Sequence, residues 1–189
     1  MMDFIDKYKQ LIIGLLIGLI IGLSISFLLP QSTKDEELNS LLTIDEVFTY
    51  SKDSINLSAT RDKIKLTDPD ITVDSFNLRG SVSYSLDLNN LTYVKEKDNL
   101  TVSIKDIELN EILLDYNTST AVDEEDGLIT LKEARIRLTD YNRIEDYFRS
   151  SINLNDIYNE AKEELHKQAI VCINNRLTDL DLNITVNFE

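Results

Sequence analysis

Cysteine, histidine and tryptophan are almost missing from this chain of 189 residues, which has one Cys, one His and no Trp, together with 5 Gly and 2 Pro. A lone Cys172 excludes an internal disulfide and any multi-thiolate metal site. So few glycines and prolines exclude a linker-rich protein. Basic residues are also scarce, with 19 Lys and Arg against 34 Asp and Glu, a net charge of −15. That is the wrong sign for a phosphate-binding surface, so nucleic acid is excluded as a partner. Apolar residues make up 42% of the chain, too many for a disordered one. The length allows one domain, or one domain with an appendage.

The averages conceal a division. Residues 11–29 read LIIGLLIGLIIGLSISFLL, with no charge and with 14 of 19 residues Leu, Ile or Phe. As a helix this segment would be roughly 28 Å long, close to the hydrocarbon thickness of a bilayer. It is apolar all round, whereas a core helix would show a polar face. Pro30 marks its end. The pattern predicts a transmembrane helix over 11–29, retained as an uncleaved signal anchor because no small-x-small cleavage site follows the apolar run. Lys7 and Lys9 precede the span and only Lys34 follows it closely, which predicts a cytoplasmic N-terminus over 1–10 and an extracytoplasmic body. Gly14, Gly18, Gly22 and Ser26 recur every four residues and share one helix face. Small residues at that spacing let two backbones approach, so this face is the expected contact of a homo-oligomer within the membrane.

The rest is different in kind. Two Asp and two Lys precede Pro30, so the whole net charge belongs to residues 31–189. A juxtamembrane stalk is expected over 30–42, starting its helix at Ser32-Thr33-Lys34-Asp35. An acidic α+β domain is expected over 43–189. Short strands broken by polar turns are expected between Ile44 and Leu66. A clear alternating strand runs from Ser81 to Leu88, and a hairpin turns at Lys97-Asp98-Asn99. Another strand is expected over Leu128–Leu138. Helices come next, over Asp140–Ser150 and then from Asn153 with a stripe of Leu154, Tyr158, Ala161, Leu165, Ala169 and Cys172. Leu182, Ile184, Val186 and Phe188 alternate with polar residues, which predicts a closing, half-buried strand of an antiparallel sheet.

Gly80-x-Val82-x-Tyr84-x-Leu86-Asp87-Leu88, Asp98-Asn99-Leu100-Thr101-Val102-Ser103-Ile104, Leu42-Thr43 and the final helix and strand together resemble a bacterial family of single-span membrane proteins. That family is catalogued as domain of unknown function four-two-three-zero. The resemblance implies a membrane-anchored α+β domain and no catalytic residues, since the family has none assigned. The family typically has a Pro just after the second of these strands, where this chain has Lys105-Asp106.

Chemistry-bearing motifs are few. Residues 122–133, VDEEDGLITLKE, partly match a calcium loop with Glu124, Asp126, Gly127 and Glu133 in register. The first ligand position is Val122, and a solvated Asp126-Gly127 hairpin turn accounts for the same residues. His166 and Cys172 lie six apart and do not share a helix face, so His166 reads as a surface residue and Cys172 as a buried small hydrophobe. No phosphate loop, nucleophile elbow or zinc-protease helix occurs, and no cofactor, metal or catalytic residue is selected. The expectation is a non-catalytic interaction or scaffold module of the cell envelope. The alternatives are an envelope enzyme or ligand-binding module with a carboxylate-lined cleft, or a body on the cytoplasmic side.

Overall fold

The computed structural model describes residues 30–67, 73–123, 127–134 and 136–189. The chain divides into two compact units, 1–44 and 45–189. The apolar segment 11–29, with Gly14, Gly18, Gly22 and Ser26, lies outside the described residues. Among those described, no helix is long and apolar enough to cross a membrane. In the first unit, helix α1 spans Pro30–Leu42. The residues expected as a stalk, 30–42, are helical, including Pro30 and Gln31 ahead of the start expected at Ser32. Thr43 closes it, with its backbone N–H and its hydroxyl both donating to the Asn39 carbonyl at 3.0 and 2.8 Å.

The second unit is α+β with mainly antiparallel strands, C-terminal helices and a closing strand. A ribbon of two long strands, β1 (Val47–Thr60) and β2 (Val73–Asp87), is its base. The short strands expected between Ile44 and Leu66 are therefore one strand of 14 residues. The polar run Ser51-Lys52-Asp53-Ser54 is absorbed by a bulge between Lys52 and Ile55, with Ser54 at φ 62°. A bulge lets a strand continue through residues that look like a turn. A single helical turn, α2 (Arg61–Ile64), comes after β1. In β2, Phe76, Leu78, Val82 and Leu86 are fully buried, so the alternation visible from Ser81 to Leu88 extends back to Phe76.

The other edge of β2 pairs with two shorter strands in turn. Strand β5 (Glu108–Leu114) covers residues 80–85, and β6 (Thr120–Asp123) covers 73–77. Strand β7 (Gly127–Thr130) completes this sheet on β6. The strand expected over Leu128–Leu138 stops at Thr130 for a local reason. The Thr130 hydroxyl donates to Glu133 Oε2 at 2.8 Å, and the Glu133 N–H donates back to Thr130 Oγ1 at 3.3 Å. Thr-x-x-Glu is a capping arrangement that starts a turn.

A second sheet holds β3 (Thr92–Glu96), β4 (Asn99–Ile104) and β8 (Asn183–Phe188). The β3–β4 hairpin turns through Lys97, at φ 56°, and Asp98. Strand β8 pairs with β4 in parallel, not antiparallel as its alternation suggested. The intervening helices return the chain to the start of β4, where the Asn183 N–H meets the Asp98 carbonyl at 2.7 Å. A helical crossover makes a parallel partner, while alternation reports only that one face is wet.

Two helices, α3 (Leu138–Ser151) and α4 (Leu154–Arg176), cover the sheets. In α4 the buried stripe is Ile157, Ala161, Leu165, Ala169 and Ile173, and it meets β1, β2 and β8. The expected stripe is right in its middle and displaced at both ends. Tyr158 and Cys172 sit beside the core, half-buried, and face polar partners. In α3, Ile144 and Phe148 point inward, and the Phe148 ring lies over Gly80. A Cβ at Gly80 would fall on the Leu113 carbonyl oxygen and 2.5 Å from the Phe148 ring, so this position requires the absence of a side chain.

Candidate functional site

Among the described residues, three polar side chains converge on Asp106, in the link between β4 and β5, where the chain passes from one sheet to the other. Tyr158, Lys162 and His166 recur every four residues and so present one face of α4. All three reach the same carboxylate. Lys162 Nζ donates to Asp106 Oδ2 at 2.5 Å, and the Tyr158 hydroxyl donates to it at 3.2 Å. His166 Nε2 lies 2.7 Å from Oδ1, which also accepts the Ile107 N–H at 2.8 Å. Strand β8 closes the group: Phe188 stacks on the His166 ring with centroids 3.5 Å apart and planes at 6°. The Asp106 N–H donates to the Glu189 carbonyl at 2.7 Å. Tyr158 meets Tyr84 of β2 edge-on at 5.8 Å, which joins the cluster to the core.

Partial burial alone would raise the Asp106 pKa, but the bonds from Lys162, Ile107 and His166 outweigh it and hold the carboxyl at about 2. The same bond to Asp106 raises the Lys162 pKa. A carboxylate held so far down is a poor proton acceptor at neutral pH, and its two oxygens carry four donors. Its chemistry is that of a clamp, fastening the link between the sheets to the last helix and the last strand. His166, read from the sequence as a surface residue, is largely buried as part of this clamp. Nothing in a four-residue spacing of Tyr, Lys and His announces this, because the shared partner lies in a distant link.

Two other ion clusters bind α4 to β1 and the residue before it. Glu46 accepts Arg176 Nη2 at 2.6 Å and the Cys172 thiol at 3.4 Å. Burial pushes the thiol pKa up, and the Glu46 bond adds to this. Cys172 is therefore a weakly buried thiol rather than an activated nucleophile. Glu160 Oε2 accepts Lys52 Nζ at 2.7 Å and the Tyr50 hydroxyl at 2.9 Å. These contacts are on exposed surface and are worth little individually.

For the acidic loop, residues 124–126 lie outside the described residues, including Glu124 and Asp126. Gly127, at φ 74°, pairs with Asp123 in the β6–β7 hairpin. The Glu133 carboxylate is turned back onto Thr130, whose hydroxyl and N–H lower its pKa. Among the described residues no group of three His, Cys, Asp or Glu is arranged to hold a metal ion.

The described residues of the second unit include two concave features. One, of about 330 Å³, lies where β2 meets the β1 bulge and the turn after β5, and includes Asp53, Ser54, Arg79, Leu113, Asp115 and Thr118. The other, about 430 Å³ and more open, is lined by Tyr116 and Tyr141, whose rings meet edge-on at 5.6 Å, with Leu138 at its rim. No family model matches the chain, and neither a curated protein nor a solved structure matches it.

Proposed function

We propose that this chain is a membrane-anchored, extracytoplasmic and non-catalytic interaction module of a bacterial cell envelope, akin to the uncharacterised single-span family that its strand motifs resemble. The anchor is the segment 11–29, self-associating through Gly14, Gly18, Gly22 and Ser26, with residues 1–10 on the cytoplasmic side. One observation carries the non-catalytic part of this reading. The cluster with the composition of an acid–base centre, Asp106 with Lys162, His166 and Tyr158, turns all three side chains onto one carboxylate whose pKa is held at about 2. The outward side of the larger sheet, by contrast, leaves apolar side chains in solvent, with Leu113 50%, Val122 37% and Leu128 67% exposed. Val122 and Leu128 are paired directly across β6 and β7. Exposed apolar groups suit a protein partner, and the chain's net charge of −15 repels anionic lipid headgroups.

Alkaline carbonate extraction of cell membranes tests the anchor. The full chain is expected to stay in the membrane pellet and a chain lacking 11–29 to be released; release of the full chain would overturn the reading. A second reading, a ligand-binding module, is favoured by the cleft at Arg79, which brings the carboxylates of Asp53 and Asp115 to one concavity.

A further inference from the structure

Both neighbours of β2 break their hydrogen-bond ladders at the same level. On one side β1 bulges, and its pairing resumes with Ile55 opposite Gly80. On the other, β5 stops with Leu114 opposite Gly80 and β6 begins with Thr120 opposite Asn77, so that residues 115–119 loop outward. The loop is firmly built. The buried Ser119 hydroxyl accepts the Arg79 N–H at 2.9 Å and donates to the Arg79 carbonyl at 3.2 Å, and that carbonyl also accepts the Asp115 N–H at 2.8 Å. Paired breaks of this kind make a concavity in what would otherwise be a flat sheet.

Arg79 thus has a fixed backbone and an exposed side chain. Among the described residues no hydrogen bond or ion pair engages its guanidinium. Asp53 and Asp115 line the same cleft and are oriented from within their own loops. Asp53 Oδ1 accepts the Ser51 hydroxyl at 2.8 Å, and Asp115 accepts the Thr118 hydroxyl at 2.7 Å and the Asn117 N–H at 2.9 Å. Each carboxylate keeps unused lone pairs. Leu113, half-exposed, contributes an apolar surface.

We propose that this cleft binds a small aliphatic zwitterion, an amino acid or short peptide with a free α-carboxylate and a free α-ammonium group. The Arg79 guanidinium takes the carboxylate through paired N–H donors. Asp53 and Asp115 take the ammonium, and Leu113 takes the aliphatic side chain. A phosphate or other polyanion would meet two carboxylates, and a simple cation would meet the guanidinium. A cleft of about 330 Å³ is at the lower end of small-molecule sites, which fits a ligand of this size. The inference rests on the ligand-binding reading above.

Saturation-transfer NMR on the full chain in detergent micelles tests it, with alanyl-leucine, L-leucine, N-acetyl-alanyl-leucine and alanyl-leucine amide as probes. Alanyl-leucine or leucine is expected to bind with a Kd of about 1 mM, and each capped peptide about tenfold more weakly than alanyl-leucine. Arg79→Met should weaken alanyl-leucine about tenfold and leave the amide unchanged, Arg79→Lys should fall between, and Asp53→Asn should weaken the forms with a free ammonium. Both positions are exposed, so each variant should keep the native far-UV spectrum. The tighter of leucine and alanyl-leucine identifies an amino acid or a peptide as the natural source. Equal binding of the capped peptides, still lost in Arg79→Met, overturns the zwitterion and leaves the cleft a ligand site. Absence of saturation transfer from every probe at 20-fold the expected Kd, about 20 mM, overturns both.

Discussion

The Asp106 carboxylate and the His166 ring are 60 residues apart in sequence and 2.7 Å apart in space, with Phe188 stacked on the ring's face. Three segments are joined by this one contact: the link between the sheets, the long helix and the closing strand. Replacing Asp106 with Asn removes the charge while keeping the shape, and leaves the Lys162 and His166 donors facing a neutral amide. Asp106→Asn is expected to cost about 1–3 kcal/mol of unfolding free energy in urea. An unchanged midpoint would contradict the clamp.

The same residue sets an acid limit. Its pKa is lowered from 3.8 to about 2 in the folded chain, so the unfolded chain takes up a proton first as pH falls. Asp106 therefore contributes its full stabilisation above pH 4, on the order of 2 kcal/mol, and loses it as pH falls through about 2. Melting temperatures recorded between pH 5 and pH 2 should converge for the natural chain and Asp106→Asn. A constant gap across that range would refute the assignment.

Gly80→Ala should be among the most damaging conservative changes. The added methyl meets the backbone of Leu113 as well as the Phe148 ring, and only the ring can move. A loss of more than about 3 kcal/mol is expected, and Phe148→Leu should not restore it. Recovery in that double variant would mean that the ring, not the paired backbone of β5, is the obstacle.

Alternation and periodicity carried the fold class, because burial on one face dictates both. The Ser81–Leu88 strand, the Lys97-Asp98 hairpin and the two C-terminal helices can be read from side-chain pattern alone. What pattern misses is set by pairing. Ser51–Ser54 looks like a turn until β2 supplies a partner for a bulge. The direction of β8 depends on where α4 delivers the chain, and the period of two in Leu182–Phe188 is the same for either direction. Thr130-x-x-Glu133 was readable as a cap, and it ends a strand that apolar residues alone would extend. The candidate sites were the least legible. Asp106 carries no motif, and its partners lie 52, 56 and 60 residues away. The Arg79 cleft exists only because two ladders break opposite each other.

The glycine face of the proposed anchor is separately testable. Gly14→Leu, Gly18→Leu and Gly22→Leu together keep the segment apolar while filling the surface through which two helices would approach. Cross-linked dimers in membranes should disappear in the triple variant and remain in a control with Leu15, Leu19 and Leu23 changed to Ile. Dimers that persist in the triple variant would rule out this face.

Whether residues 11–29 hold an acidic domain outside the cytoplasmic membrane decides more than any other point. Protease added to intact cells, with the outer barrier permeabilised if there is one, answers it. The body after Pro30 is expected to be degraded while a cytoplasmic marker survives, leaving a membrane-embedded N-terminal fragment. A body that stays intact until the cytoplasmic membrane is lysed would contradict the extracytoplasmic placement.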